Sequence, residues 1–215
     1  MPLTSSPISQ RLEGYFDFDK RLFFLIIVLI FIVIRFITND IILQAIPGYE
    51  QLEEEGTFLI FHIFNALNYL WTPFALMWKF TLTAFVLWIG GFAFGYRVSF
   101  KKLWQYIMII EIIFVLPELI KMLYFMTLPE SVTYQEIRNF YPFSLLSILG
   151  SEGMDKQNLY PLQAINLFEI IYIALLILVF HTVSRRNLKQ STKVVISTYV
   201  PLFLLWLFFY ITVYR

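Results

Sequence analysis

Six ionisable side chains lie within or beside the long apolar stretches of this sequence, and their types could support chemistry inside a membrane. Three are bases and three are acids: Arg35, Lys79, Glu111, Glu118, Lys121 and Glu169. An ionised side chain at the centre of a bilayer costs about 2.5–3.5 kcal/mol on insertion scales, so such residues usually pair with one another or serve a function. These six therefore form a predicted intramembrane polar cluster.

Three of the six share one predicted helix. Glu118 follows Glu111 by seven residues and Lys121 follows Glu118 by three, so all three lie on one helical face. Pro117 falls in the same turn and lacks a backbone N–H group, which predicts a kink. The pattern indicates a polar face on a bent helix.

The pairing of the other charges is open. We expect Glu111 to pair with Lys79, and Arg35 or Lys121 could take the place of that lysine. Glu169 lies on another predicted helix and has no base within one turn of it. It is therefore the acid that is best placed to exchange a proton.

Composition identifies the solvent in which the chain folds. Of its 215 residues, 59% are hydrophobic and 14% are charged, and the mean hydropathy is +0.72. Soluble domains carry roughly 25% charged residues, so the bilayer is the expected surroundings. The chain has no cysteine, which excludes disulfides and thiolate chemistry.

Apolar stretches of about 20 residues are long enough to cross a bilayer as helices. Strands are not expected, because these stretches do not alternate polar and apolar residues. The sequence therefore predicts an all-α polytopic bundle, a single membrane domain with short interfacial helices. Its five predicted spans are residues 21–43, 71–95, 103–126, 159–184 and 194–213.

The stretch from residue 57 to residue 95 is too long for one crossing, at about 58 Å of helix. Pro73 predicts a kink or break. We therefore expect residues 57–70 to form a separate helix that is interfacial or re-entrant. The alternative is two full crossings, which would make six spans and reverse the orientation of everything that follows.

A second interfacial segment is predicted at residues 133–149. Thr133 and Glu136 form a capping-box pattern, in which each side chain binds a free N–H group at the start of a helix. Pro142 then ends this short run, and Gly150 closes the next one. Neither piece is long enough to span, so we expect both to pack over the outer end of the bundle.

The distribution of basic residues predicts the orientation. In the five-span arrangement, one side carries Arg11, Lys20, Arg21, Arg97, Lys101, Lys102, Arg185, Arg186, Lys189 and Lys193. The other side has only Arg138, Lys156 and Arg215 as bases, but eight acids, four of them at positions 50–55. Because basic loops stay in the cytoplasm, the N-terminus is predicted inside and the C-terminus outside. No signal-peptide cleavage site follows the first span, so we expect this helix to be retained in the mature protein. The expected location of the protein is a bacterial inner membrane.

Gly90, Gly91 and Gly95 form a small-residue pattern at the end of the second span. Such glycines let another helix approach the backbone closely. We expect them to serve helix packing within the chain.

Motifs for catalysis and for metal or cofactor binding are missing from the sequence. The two histidines, His62 and His181, lack the spacing of a zinc site, and no phosphate-binding glycine loop or nucleophile elbow occurs. We therefore predict no enzymatic activity, no metal and no cofactor. Nucleic acid is not an expected partner, because the basic residues adjoin membrane helices.

The second and third spans resemble those of Yip1-type membrane proteins. Gly90 and Gly91 are followed by a short basic turn at residues 99–104, with a serine, an aromatic residue and two lysines, and then by a helix that contains Pro117. The similarity covers residues 85–121. It implies a small helix bundle that has no enzymatic activity and works through partner proteins. The five predicted spans and the cytoplasmic N-terminus also fit this family.

Two functions from different classes remain at this point. The first is a non-catalytic subunit or scaffold, contacting the lipid bilayer and other membrane protein subunits, in which the polar cluster only fixes helix association. The second is a proton- or ion-coupled transport component that uses the intramembrane glutamates. Transporters usually contain internal repeats, and five spans do not divide into equal halves, so the first is preferred. A membrane-embedded lipid enzyme ranks third.

Overall fold

The computed structural model describes residues 6–44, 58–127 and 133–214, and these are helical with no strand. The predicted all-α class is therefore confirmed. The acids at positions 50–55, which entered the orientation argument, lie outside the described residues. The helices are α1 (Pro7–Tyr15), α2 (Lys20–Gln44), α3 (Leu59–Ala93), α4 (Phe100–Ile110), a 3-10 segment (Glu111–Phe114), α5 (Val115–Thr127), α6 (Tyr134–Asn139), α7 (Leu145–Leu149), α8 (Lys156–Ala164), α9 (Leu167–Ser184) and α10 (Leu188–Val213).

Four of the described helices are long and apolar enough to cross a membrane: α2, most of α3, α9 and α10. The chain therefore has the elements of an integral membrane protein. Helix α4, the 3-10 segment and α5 follow one another without a gap but are individually shorter. Buried side chains from α2, α3, α4, α9 and α10 form one hydrophobic core.

The predicted separate helix at residues 57–70 is wrong over its described part, because α3 continues through Pro73. Helix α2 contacts α3 on both sides of this proline. Asn39 donates to the Tyr69 hydroxyl at 2.9 Å, and the ring of Phe24 packs on that of Phe80 at 6.2 Å. These contacts hold the helix together at the position where one backbone hydrogen bond is missing.

The predicted fourth span, residues 159–184, is divided into two helices. Helix α8 ends at Ala164 and α9 begins at Leu167, with the Asn166 side chain accepting the backbone N–H of Glu169 at 2.9 Å as an N-cap. Glu169, which falls near the middle of the predicted span, therefore stands in the first turn of a helix, α9. An asparagine followed three residues later by a glutamate is a recognisable helix start.

The predicted third span is one helical run with an interruption. The 3-10 segment replaces α-helix at Glu111–Phe114, just before Pro117. Pro117 cannot donate the hydrogen bond that an α-helix would direct to Ile113, and tighter 3-10 winding is a common response to such strain. The distortion expected from Pro117 therefore falls one turn earlier and includes Glu111.

The capping box predicted at the second interfacial segment is confirmed. The backbone N–H of Thr133 donates to Glu136 Oε2 at 2.8 Å, and the Thr133 hydroxyl caps the N–H of Glu136. These bonds hold the pKa of Glu136 below its usual value. Helix α6 is tied to α5 by the rings of Tyr124 and Phe140, which stack at 4.7 Å.

Two turns and the N-terminal helix meet at one end of the bundle, which we call the basic end. The Arg186 guanidinium lies 4.7 Å above the Tyr96 ring and joins the turn after α9 to the turn after α3. Helix α1 is attached through the Ser6 hydroxyl, which lies 2.7 Å from His181 Nε2. The opposite end contains α6, α7 and α8 and is called the distal end.

Two of the three predicted packing glycines do pack. A Cβ atom on Gly90 would stand 2.5 Å from Thr198 Cγ2 of α10, and one on Gly91 would stand 3.2 Å from the Phe180 ring of α9. The prediction is wrong for Gly95, which has nothing within 4 Å and a φ of +73°. Gly95 instead ends α3 in a Schellman motif, with the Tyr96 N–H bound to the Gly91 carbonyl at 2.8 Å.

We predict that Gly90→Ala destabilises the bundle by about 1–3 kcal/mol, because the added methyl overlaps Thr198. Thermal unfolding in detergent measures the loss. Thr198→Ala in the same chain removes the overlapping Cγ2 atom and should restore most of the stability. Gly14→Ala, which meets nothing within 4 Å, is the matched control. A double variant no more stable than Gly90→Ala alone would contradict this account of the contact.

Candidate functional site

Lys79 and Glu111 form an ion pair between α3 and the 3-10 segment, the pairing that we expected from the sequence. The Glu111 side chain is 1% exposed, whereas that of Lys79 is 43% exposed. Beyond this pair, neither carboxylate oxygen of Glu111 accepts a hydrogen bond from the described residues. The lysine is therefore the group that makes a buried carboxylate tolerable at this position.

Two aromatic rings also contact the ammonium group of Lys79, in addition to the Glu111 carboxylate. Lys79 Nζ lies 3.6 Å from the centre of the Phe114 ring and 5.6 Å from that of Tyr172. Ring faces attract cations, most strongly where water is excluded. A carboxylate and two rings thus define the position of this charge.

Glu169 is bound separately, between α9 and α10. The Tyr199 hydroxyl donates to Glu169 Oε1 at 2.8 Å, and the residue is 8% exposed. Lys79 and Glu111 both act on Glu169 electrostatically, but no base forms an ion pair with it among the described residues. Glu169 is therefore held by a neutral donor rather than by an ion pair.

Tyr172 lies beside the ion pair. It is fully buried, its ring packs on Phe114 at 4.9 Å, and its polar neighbours include Thr83 and Glu111. Its hydroxyl is close to these two side chains without forming a hydrogen bond of good geometry in the described part of the chain. Five side chains from α3, the 3-10 segment, α9 and α10 thus make up what we call the polar centre: Lys79, Glu111, Glu169, Tyr172 and Tyr199.

Three of the six residues predicted for the cluster lie outside this centre. Arg35 is exposed on α2, and its Nη1 donates to the Thr72 hydroxyl at 3.0 Å. Glu118 and Lys121 are half-buried neighbours farther along α5. No ion pair joins any of these three to the polar centre in the described part of the chain.

Tyr141 comes from the distal end and was not identified in the sequence. Burial raises the pKa of its hydroxyl, and the negative charges of Glu118, Glu169 and Glu111 raise it further. The loop that carries it pairs with the break between α8 and α9, where the Leu167 N–H binds the Phe143 carbonyl at 3.0 Å. This loop is therefore tied to the start of α9, the helix that carries Glu169.

Tyr199 was also missed by the sequence reasoning. It follows Ser197 and Thr198, which form a short polar run inside an otherwise apolar predicted span. Such a run is a usable signal, because polar side chains in a membrane helix usually face other helices. The charge-based search did not include it, since tyrosine is uncharged.

This arrangement of side chains can hold charge and move protons. Among the described residues, no three histidine, aspartate or glutamate side chains are grouped as a metal site would require. Comparison with protein-family models, characterised proteins and solved structures gives no match to this chain. The resemblance to Yip1-type proteins therefore stays a prediction.

We predict that Lys79 and Glu111 are energetically coupled. Glu111→Gln leaves the ammonium without its carboxylate, and Lys79→Met leaves the buried carboxylate without its base, which in soluble proteins costs about 3–5 kcal/mol. The double substitution removes both charges and should cost much less than the sum of the two single losses. Thermal unfolding of the four proteins in detergent measures this coupling.

Glu118→Gln and Lys121→Met form the matched control cycle, since both residues lie on the next helix outside the polar centre. Each of these single substitutions should destabilise the protein less than Glu111→Gln or Lys79→Met, because both side chains are only half buried. Strictly additive losses in the Lys79–Glu111 cycle would show that the ion pair carries no net coupling.

Proposed function

We propose that this chain is a non-catalytic integral membrane subunit or scaffold of a larger envelope complex, and that its polar centre fixes the packing of its helices. In this proposal α2, α3, the run from α4 to α5, α9 and α10 are five spans. The basic end faces the cytoplasm of a bacterium with an inner membrane. The lipid bilayer and other membrane subunits are its partners.

The observation that carries the proposal is that the buried carboxylates are bound by side chains from other elements. The Lys79–Glu111 pair joins α3 to the 3-10 segment, and the Tyr199–Glu169 bond joins α9 to α10. Each buried carboxylate is therefore held by a group from another element. Contacts of this kind resist helix separation, which is what a structural subunit needs.

The direction of the helices supports five spans. Asn39 near the end of α2 contacts Tyr69 near the start of α3, so these helices are antiparallel. The turns after α3 and after α9 meet at the basic end through Arg186 and Tyr96. The ten basic residues of the predicted inner side then gather at one end, as the positive-inside rule requires.

Cysteine labelling tests this orientation, because the natural chain has no cysteine. We predict that a membrane-impermeant reagent applied to intact cells labels Glu152→Cys and Lys156→Cys at the distal end. Lys102→Cys and Lys189→Cys at the basic end should react only after the membrane is opened. Labelling of Lys102→Cys in intact cells would reject the orientation.

A second candidate is a proton-coupled transport component, and one observation favours it. The buried Tyr172 hydroxyl forms no hydrogen bond of good geometry among the described residues, although Thr83 and Glu111 are its neighbours. A buried hydroxyl that can rotate beside a carboxylate can act as a proton-relay element. Glu111 also lies in a 3-10 segment inside a longer helical run, and such segments often mark hinges.

Glu169→Gln separates the two candidates, because glutamine keeps the shape and hydrogen bonding of glutamate but cannot cycle a proton. For a subunit, we predict that Glu169→Gln leaves co-purification of partners and cellular activity nearly intact. Gly91→Leu, which collides with Phe180, should disrupt assembly. Loss of activity in a normally assembled Glu169→Gln complex, with a silent Gly91→Leu, would favour transport.

A further inference from the structure

Two basic side chains at the basic end each lie against one ring of a stacked aromatic pair. The rings of Phe94 and Tyr96, just after α3, stack at 6.3 Å. Lys193 Nζ lies 5.6 Å from the first ring, and the Arg186 guanidinium lies 4.7 Å from the second. The aromatic pair therefore holds both bases at this end of the bundle without neutralising their charges.

The backbone that carries Arg186 is also fixed. Its carbonyl is bound by His181 Nδ1, and its N–H donates to the Ser184 hydroxyl at 3.3 Å. The preceding residue, Arg185, adopts a left-handed conformation with a φ of +53° and ends α9. Arg186 is therefore positioned by the turn before any ligand arrives.

Neither base, Arg186 or Lys193, takes part in an ion pair among the described residues. Further exposed bases stand on the same turns and on the adjoining helix starts: Arg97, Lys101, Lys102, Arg185 and Lys189. The surface offers several cationic donors to one anion.

Apolar surface continues from this charge along the seam between α3 and α10. The two helices touch closely at Gly90 and Thr198. Next to that contact, large apolar side chains are exposed on both helices: Ile89, adjacent to Gly90, at 45%, and Leu202, one turn after Thr198, at 41%. A ligand with an anionic headgroup and apolar chains could bind the bases with its headgroup and the apolar surface with its chains.

We propose that Arg186 and Lys193 bind the phosphate headgroup of an acidic phospholipid, whose acyl chains lie along the α3–α10 seam. The surface stands at the end of two helices that are long and apolar enough to cross a membrane, where headgroups are found. Basic residues near a membrane surface attract anionic lipid, and bases set between helices hold individual headgroups.

The test is a thermal-shift titration of the full chain in neutral detergent with short-chain phosphatidylglycerol. A ligand that binds only the folded state raises the unfolding temperature with concentration. We expect phosphatidylglycerol to raise it, while phosphatidylcholine of the same chain length and sodium phosphate have little effect. Arg186→Ala with Lys193→Ala should weaken the apparent affinity about 30-fold.

Two variants control for overall charge and for folding. Lys156→Ala removes an exposed base at the distal end and should bind like the natural chain. Arg186→Lys with Lys193→Arg keeps both charges and should retain most of the affinity. If the double alanine variant does not fold, a salt titration of the natural chain decides, because headgroup binding must weaken as sodium chloride rises.

Three results would overturn the proposal. Equal stabilisation by phosphatidylcholine would show that the acyl chains alone are bound. Equal stabilisation by sodium phosphate would show a site for free anions rather than a lipid site. Equal loss in Lys156→Ala and in the double alanine variant would show that only net charge matters.

Discussion

The burial of Glu111 is the constraint on which the centre of this bundle depends. Its side chain is almost completely enclosed, and an unpaired carboxylate in such surroundings costs several kcal/mol. Lys79 must therefore reach it from α3, and Phe114 and Tyr172 must flank the ammonium group. This requirement sets the relative positions of α3, the 3-10 segment and α9 more narrowly than apolar packing would, because lipid competes equally well for apolar surfaces.

The helix that carries Glu111 is shaped by the same requirement. Pro117 weakens α-helical hydrogen bonding in the turn before it, and that turn is wound as a 3-10 segment. Glu111 and Phe114 are three residues apart, and a 3-10 helix has three residues per turn, so both face Lys79. The proline therefore contributes to the site through backbone geometry, although its side chain takes no part in the ion pair.

Sequence reasoning predicted what depends on local composition. The apolar helices and the capping box at Thr133 follow from hydropathy and motif spacing. Charge balance predicted a base beside Glu111 but left Arg35 and Lys121 open as alternatives to Lys79. Sequence reasoning failed where tertiary contacts decide the outcome. Helix α3 continues through Pro73, and side chains of α2 contact it on both sides of the proline. The loop that carries Tyr141 is positioned by backbone hydrogen bonds to the break before α9. Contacts of this kind join residues that are distant in sequence, and no local pattern contains them.

The polar centre divides into a fixed part and an exchangeable part. Glu111 faces a lysine that is held by two rings, so loss of its charge would leave that ammonium group without its counter-ion. Glu169 faces only the Tyr199 hydroxyl, and hydrogen bonding to a neutral donor is compatible with either protonation state of a carboxyl group. If the polar centre is purely structural, both acids serve only to hold neighbouring helices together. If this chain moves protons, Glu169 is the carboxyl group better suited to exchange them, because the carboxylate of Glu111 is held by its ion pair with Lys79.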